Sequence, residues 1–204
     1  MKVGAIIFSR ISSNRLPGKA LLDISGRTLL GRVLDRTKAI EGINEVIIST
    51  SSEKEDDLIE QFAKKEKVET YRGSLENVME RALETCSKYN LDKFARICGD
   101  RPFFDPKLVS KLIKIHNELD LDIATTTFPS SYPSGLNGEV INTRALSKVF
   151  KKINNKDDLE HLTSYFYKNS SNFSIRNISA PKNLKYNDLS LSIDTKEDLD
   201  RAIW

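Results

Sequence analysis

Five short runs rich in β-branched and other apolar residues, KVGAIIF (2–8), EVIIST (45–50), VETYR (68–72), FARIC (94–98) and DIATTT (122–127), are separated by stretches of helical period. That alternation constrains the chain more than anything else in it, because strands spaced by helices predict crossover units and a mainly parallel α/β sheet. The intervening segments 28–41, 54–66, 74–89 and 106–118 repeat apolar residues every three or four positions, as helices covering a sheet do. In the last of these, Leu108, Val109, Leu112, Ile113 and Ile115 form the stripe. Asp105 and Pro106 ahead of it read as an N-cap followed by proline at the first helical position.

The rhythm breaks at TTFPSSYPSGLNGEV (126–140), where Pro129, Pro133, Gly135 and Gly138 predict an excursion over the sheet before a strand at EVIN (139–142). Long irregular connections of this kind are often functional. Helical patterns follow near 143–153 and 157–168, then strand candidates at 173–179 and 189–193 and a closing helix within 194–203. With 204 residues, no internal repeat and no linker-like tract, one domain carrying an arm around 128–180 is expected. Lys and Arg number 32 against 29 Asp and Glu, a net charge of +3 that excludes a general nucleic-acid binder and makes any cationic site local. The N-terminal apolar run is of strand length and lacks a small-residue cleavage site, so neither a signal peptide nor a membrane span is expected, and a cytoplasmic location is. Cys86 and Cys98 fall in a helix and a strand and are expected as reduced thiols, with no zinc-like spacing.

Three constellations carry possible chemistry. The first is the loop SRISSNRLPGK (9–19), which packs Arg10, Ser12, Ser13, Arg15, Gly18 and Lys19 behind the first strand, where ligands bind in open α/β sheets. Neither the Walker A spacing nor a dinucleotide fingerprint is present. What remains is either a polyphosphate cradle of cations, hydroxyls and backbone N–H groups or a solvated loop with ordinary surface charges. The second is the strand end GDRP (99–102), where Asp100 would point from the carboxyl edge toward a metal or ribose, or merely cap a turn. The third is Asp194, closing the run LSLSI ahead of a helix whose early acidic residues the helix dipole explains. Two aspartates from separate strand ends could share a Mg²⁺ that also touches phosphate. Weaker candidates are Arg72, a possible N-cap at Ser74, Asn77 and Arg81 in YRGSLENVMERA, and Glu160 with His161 in DDLEHLTSYF.

Taken in order, the loop 9–19, YRGS, GDRP, YPSGLNGEV, EHLTSY and IDTKEDL resemble bacterial cytidylyltransferases of the spore-coat polysaccharide (SpsF) type, relatives of the enzymes that make CMP-activated 3-deoxy-manno-octulosonate and CMP-sialic acids. The resemblance spans nearly the whole chain. It implies a three-layer α/β/α nucleotidyltransferase fold, glycosyltransferase-A-like and Rossmann-like, with an arm that often forms a homodimer, and it implies CTP and Mg²⁺. By the same resemblance Arg10, Ser12, Ser13, Arg15 and Lys19 would hold the triphosphate, with Arg10, Lys19 and Asp100 central to catalysis. Asp100 and Asp194 would ligate the metal. Arg72 and Asn77 would lie near the nucleotide, and Tyr132, Asn137, Glu139 and His161 would face the acceptor.

The chain departs from the family pattern at Ser9 and Ser12, where Ala and Gly are usual, and at Ser134 and Asn137, where Asp is frequent. The implied reaction is transfer of CMP from CTP to an acidic sugar or other anionic acceptor, with release of pyrophosphate, for surface polysaccharide or glycoconjugate synthesis. Use of another nucleoside triphosphate, a glycosyltransferase with Asp120-Leu121-Asp122 at its metal, and a non-catalytic homologue stay open as alternatives.

Overall fold

Val3, Ala5, Ile6 and Ile7 are all buried in β1 (Val3–Phe8), so both faces of this strand are covered, as its unbroken apolar run requires. The computed structural model describes residues 1–153, 155–185 and 189–203 and sets β1 inside a seven-stranded sheet. A two-residue hairpin, β2 (Asp23–Ile24) and β3 (Arg27–Thr28), precedes α1 (Leu29–Lys38). Then come β4 (Glu45–Ser51), α2 (Asp57–Glu66), β5 (Glu69–Gly73), α3 (Val78–Tyr89), β6 (Lys93–Cys98) and α4 (Pro106–Leu119). The second half adds β7 (Ile123–Thr125), β8 (Glu139–Asn142), α5 (Thr143–Phe150), α6 (Lys156–Glu160), α7 (Ser164–Lys168), β9 (Ile175–Asn177) and α8 (Lys196–Ile203). The sheet order is β5-β4-β1-β6-β8-β7-β9, and β8 alone runs against its neighbours, so the mainly parallel expectation holds.

Alternate residues of β1 feed two cores. Val3, Ala5 and Ile7 join Leu30, Val33 and Leu34 of α1, Ile59 and Ala63 of α2 and Leu112 of α4 on one face. Ile6 joins Met79, Ala82 and Cys86 of α3, Leu146 and Val149 of α5 and Phe166 of α7 on the other. Helix, sheet and helix therefore form three layers. Asp105 caps α4 as expected, accepting the Lys107 N–H at 2.9 Å, with Pro106 in the first turn. No helix among the described residues is long and apolar enough to cross a membrane.

Two segments differ from the sequence reading. The predicted helix 157–168 is two helices, α6 and α7, with His161 and Thr163 outside both. Leu162 and Phe166 are fully buried while Glu160 and His161 stay exposed, a pattern one helix could also carry; the break is in the backbone, where His161 leaves the helical region at φ −102°, ψ 85° and ends α6. The run 189–193 is not a sheet strand; a single bridge pairs Ser190 with Ser134. Its partner is the irregular stretch 131–136, where Pro133 has no N–H to donate and Gly135 turns away at φ +93°. A Cβ on Gly135 would lie 2.7 Å from the Leu191 carbonyl carbon, so glycine permits this crossing. Ser134 N–H donates to Leu189 O (3.1 Å) and Leu191 N–H to Ser134 O (2.8 Å), which fixes the chain just before Asp194.

Asp56, fully buried ahead of α2, ties the end of β4 to the loop after β1. Its carboxylate accepts the backbone N–H of Ile11 (2.6 Å) and of Ser51 (3.0 Å) and the Ser51 hydroxyl. Asp56→Ala strands those donors and is expected to cost about 2–3 kcal/mol of unfolding free energy, read from urea denaturation.

At the opposite edge of the sheet the fully buried Lys93 donates to His116 Nδ1 (3.0 Å) and Asn117 Oδ1 (2.9 Å), while His116 Nε2 has no partner among the described residues. Burial, then the Lys93 charge, pushes the imidazole pKa down to about 4. In the unfolded chain it returns to its ordinary value, so between about pH 6.5 and 4 the unfolded state binds more protons. Stability falls as pH falls through that window, by on the order of 3 kcal/mol from this residue. Urea midpoints at pH 7.5, 6 and 4.5 should converge in His116→Gln relative to the unsubstituted protein; a parallel decline in both would remove His116 as the cause.

Candidate active site

The strands β5, β4, β1 and β6 are parallel, so their carboxyl ends share one edge, and the loops leaving that edge meet. Phe8 of β1 pairs with Cys98 of β6, and beyond that pair Gly99 N–H donates to Phe8 O at 2.9 Å. A Cβ on Gly99 would come within 2.8 Å of the Ser9 Cβ, so this close approach requires glycine. The loop after β1 turns back on itself through Gly18, in the left-handed region at φ +70°, whose N–H donates to Ile11 O (3.1 Å). Lys19 then opens a single 3₁₀ turn and points into the edge.

Its ammonium lies 2.9 Å from Asp100 Oδ2, 2.9 Å from Asp194 Oδ1 and 2.9 Å from the Ile193 carbonyl oxygen. Arg15 reaches the same oxygen of Asp194 at 2.9 Å. Asp194 is held in turn: Ile193 N–H donates to Asp100 O (2.9 Å), and Asp198 accepts from Asp194 N (3.0 Å), Thr195 N (2.9 Å) and the Thr195 hydroxyl (3.0 Å). Those bonds lower the Asp198 pKa against the opposing effect of burial, which is the larger single influence. The acidic first turn of α8 thus does more than complement a dipole.

A cleft of about 580 Å³ opens beside this junction. Arg10, Ser12, Ser13, Arg15, Lys19, Arg81, Asp100, Glu160, His161 and Asp194 all line it, so the structure brings together ten residues singled out in the sequence. Ser13 is partly engaged, accepting the Leu16 N–H at 3.4 Å. The lining side chains include six cations, Arg10, Arg15, Lys19, Arg81, Arg96 and Arg101, against three carboxylates, Asp100, Glu160 and Asp194. Such a cleft favours a polyanion.

Other expected residues stand elsewhere. Arg72 is outside the lining; it donates to Asp57 (2.5 Å) and Glu60 (3.0 Å) of α2 and to the Ser51 and Glu53 carbonyls, which makes it a link between β5 and α2. Asn77 is the N-cap of α3, accepting from Glu80 N at 3.0 Å, and Ser74 takes the Asn77 N–H instead of capping the helix. Tyr132 is buried against Leu108 and Ala180. Asn137 lies outside the cleft with a buried Oδ1 that has no partner among the described residues. Glu139 is buried behind the cleft wall. Asp120 and Asp122 sit ahead of β7, at the edge opposite Lys19, where Asp122 bonds Ser174. A metal site on that pair would be remote from the cleft.

Two lining residues carry more weight than their sequence context suggests. Arg81, on α3, is buried with its guanidinium 6.0 Å from the Phe8 ring and donates to the Ser74 and Leu75 carbonyls; burial, then the neighbouring Arg10, lowers its pKa to about 10. Arg96 interrupts the apolar run of β6, and a charge mid-strand was the available signal.

Among the described residues no group of three or more His, Cys, Asp or Glu side chains is placed to hold a metal. The Lys19 ammonium nevertheless shows three oxygens aimed at one cation, two of them carboxylate. That donor set suits Mg²⁺, which takes one or two protein carboxylates and fills its remaining positions with phosphate and water.

A cytidylyltransferase family model matches residues 4–203. The spore coat polysaccharide biosynthesis protein SpsF of Bacillus subtilis is 30% identical over 198 residues, covering 95% of this chain and 81% of that protein. Among solved structures, a cytidylyltransferase from Leptospira borgpetersenii superposes with a TM-score of 0.93 at 30% identity, over 100% of this chain and 85% of that one. CMP:2-keto-3-deoxy-manno-octonic acid synthetase complexed with CTP shares the fold, with a TM-score of 0.75 at 18% identity over 100% and 97% of the two chains. A family match over nearly the whole length, joined to a cationic cleft at the carboxyl edge of a parallel sheet, has one reading: the chain belongs to the cytidylyltransferase family and is a nucleotidyltransferase.

Proposed function

We propose that the protein transfers CMP from CTP to an anionic sugar acceptor in a Mg²⁺-dependent reaction that releases pyrophosphate, as a cytoplasmic enzyme of surface-glycan synthesis. The observation that carries this reading is the convergence of Lys19, Asp100 and Asp194 beneath a loop of cations. In the reaction an acceptor hydroxyl oxygen forms a bond to the α-phosphorus and releases its proton to solvent, the bond from that phosphorus to the bridging oxygen breaks, and pyrophosphate departs with the bond's electron pair. Positioning and charge neutralisation do most of the work in such a displacement. Arg10 and Arg15 hold the outgoing phosphates, the Ser12 and Ser13 hydroxyls orient them, and Asp100 with Asp194 would hold the metal. When bound, that metal supplies Lewis-acid neutralisation of phosphate charge.

Lys19 has a double part in this account. With the nucleotide absent, its ammonium satisfies both carboxylates; with CTP bound, it turns the same charge toward the leaving group. The family resemblance extends the proposal to a homodimer joined through the second half of the chain, where Phe128, Leu184 and Leu189 are exposed.

The test is pyrophosphate release from each nucleoside triphosphate with a panel of sugar acids and sugar phosphates, alongside protection from heat by each nucleotide. CTP should protect most and support turnover with an anionic acceptor. Asp100→Ala should keep its thermal transition and lose about a hundredfold or more in turnover. Turnover near the original level would remove Asp100 from the metal site, and absence of CTP binding would defeat the reading.

A further inference from the structure

Five of the six cleft cations come from, or lie against, the phosphate loop and the Asp100 junction. Arg96 does not. It sits on β6 two residues before Cys98, and the register pairs it directly with Glu139 of β8, which in turn pairs with Thr125 of β7. One terminal nitrogen of Arg96 donates to Glu139 Oε2 at 2.7 Å. Among the described residues its Nε and second terminal nitrogen make no hydrogen bond, and the side chain lines the cleft.

Glu139 is only 6% exposed and is fully committed to this arrangement. Its other oxygen accepts from the hydroxyls of Thr127 (3.2 Å) and Tyr167, and Tyr167 also bonds Thr125 (2.9 Å). Burial acts to raise the Glu139 pKa, but the Arg96 charge and the Tyr167 hydrogen bond outweigh it and lower the value. An ion pair built this deep does little for stability that an apolar pair could not do, whereas it holds the guanidinium of a cleft-lining arginine by one nitrogen and leaves the other two unbonded among the described residues.

We infer that Arg96 is the anion anchor of the acceptor subsite: Glu139 fixes one side of its guanidinium, and the free edge takes the carboxylate or phosphate group of the acceptor as a fork. The inference rests on the two-substrate reading above and deepens it. The triphosphate has its own cations on the loop, so a separate cation on the β6/β8 side serves the second substrate. Glu139, expected from the sequence to face the acceptor, is by this account a positioning residue one layer behind it, with Tyr167.

The experiment titrates the protein, saturated with α,β-methylene CTP, with 3-deoxy-manno-octulosonate, glucose 1-phosphate and uncharged glucose, by calorimetry. The expected result is saturable binding of one anionic sugar that exceeds glucose at least tenfold; which of the two binds tells carboxylate from phosphate. Arg96→Gln should abolish that preference while leaving affinity for the CTP analogue within about twofold. Because Arg96→Gln leaves a buried carboxylate unpaired, the double variant Arg96→Met/Glu139→Gln, which removes both charges, provides the same readout in a balanced interior. Glu139→Gln alone should weaken the anionic sugar and spare the nucleotide, a split that a purely structural role would not produce. Equal binding of the anionic sugar to unsubstituted and doubly substituted protein overturns the inference, as does absence of saturable binding by both anionic sugars. If the CTP analogue itself fails to bind, the nucleotide reading falls, and titrations of the nucleotide-free protein with the sugar acid still compare Arg96 with its replacement.

Discussion

β1 is paired in parallel on both edges, to β4 and to β6, and the rest of the molecule follows from that constraint. Parallel pairing needs crossovers, crossovers place helices on both faces, and helices on both faces demand the apolar run of β1. The same pairing delivers the ends of β1, β4 and β6 to one edge, so the loop after Phe8, the acidic anchor Asp56 after β4 and Asp100 after β6 become neighbours without any local sequence signal linking them. Asp194 arrives by another route, carried in by the crossing of 189–193 over the 131–136 loop and pinned by the Asp100 carbonyl.

The electrostatics at that edge are arranged in advance. The Lys19 ammonium between Asp100 and Asp194, with Arg15 on Asp194, sets two cations against two carboxylates before substrate arrives, which keeps the acids close with their repulsion offset. The surplus positive charge sits on arginines whose positions are set by other parts of the fold: Arg81 by the carbonyls ahead of α3, Arg96 by Glu139. Preorganised charges of this sort need no reorganisation when a polyanion enters, which is the larger part of what a phosphoryl-transfer site supplies.

The strands of the first half and the cationic loop after β1 were legible in the sequence because each depends on local pattern: apolar runs, helical period, an Asp-Pro cap, and hydroxyls and cations in one tight loop. Asp100 and Asp194 were legible as acids closing apolar runs, although only the fold shows that both accept from Lys19. Asp56 was not, because in EKEDD it is indistinguishable from solvated acids at a helix start. Arg72 and Tyr132 stand outside the cleft lining, because nearness in a motif does not say which way a side chain is drawn: Arg72 is held by acids of α2, and Tyr132 packs against Leu108 of α4. The segment 157–168 has helical period throughout, and its break shows only in the backbone, at the non-helical dihedrals of His161.

Glu139 shows the same limit from the other side. The family resemblance implies a residue that faces the acceptor, at the start of the strand EVIN. The antiparallel register of β8 instead sets it opposite Arg96 in the middle of the sheet, where a carboxylate is tolerated only if paired and hydrogen-bonded. Both conditions are met by Arg96, Thr127 and Tyr167. The one insertion that breaks the parallel order of the sheet therefore also places a buried anion beside the cleft. That anion leaves the neighbouring arginine with a fixed orientation and two donors to spare.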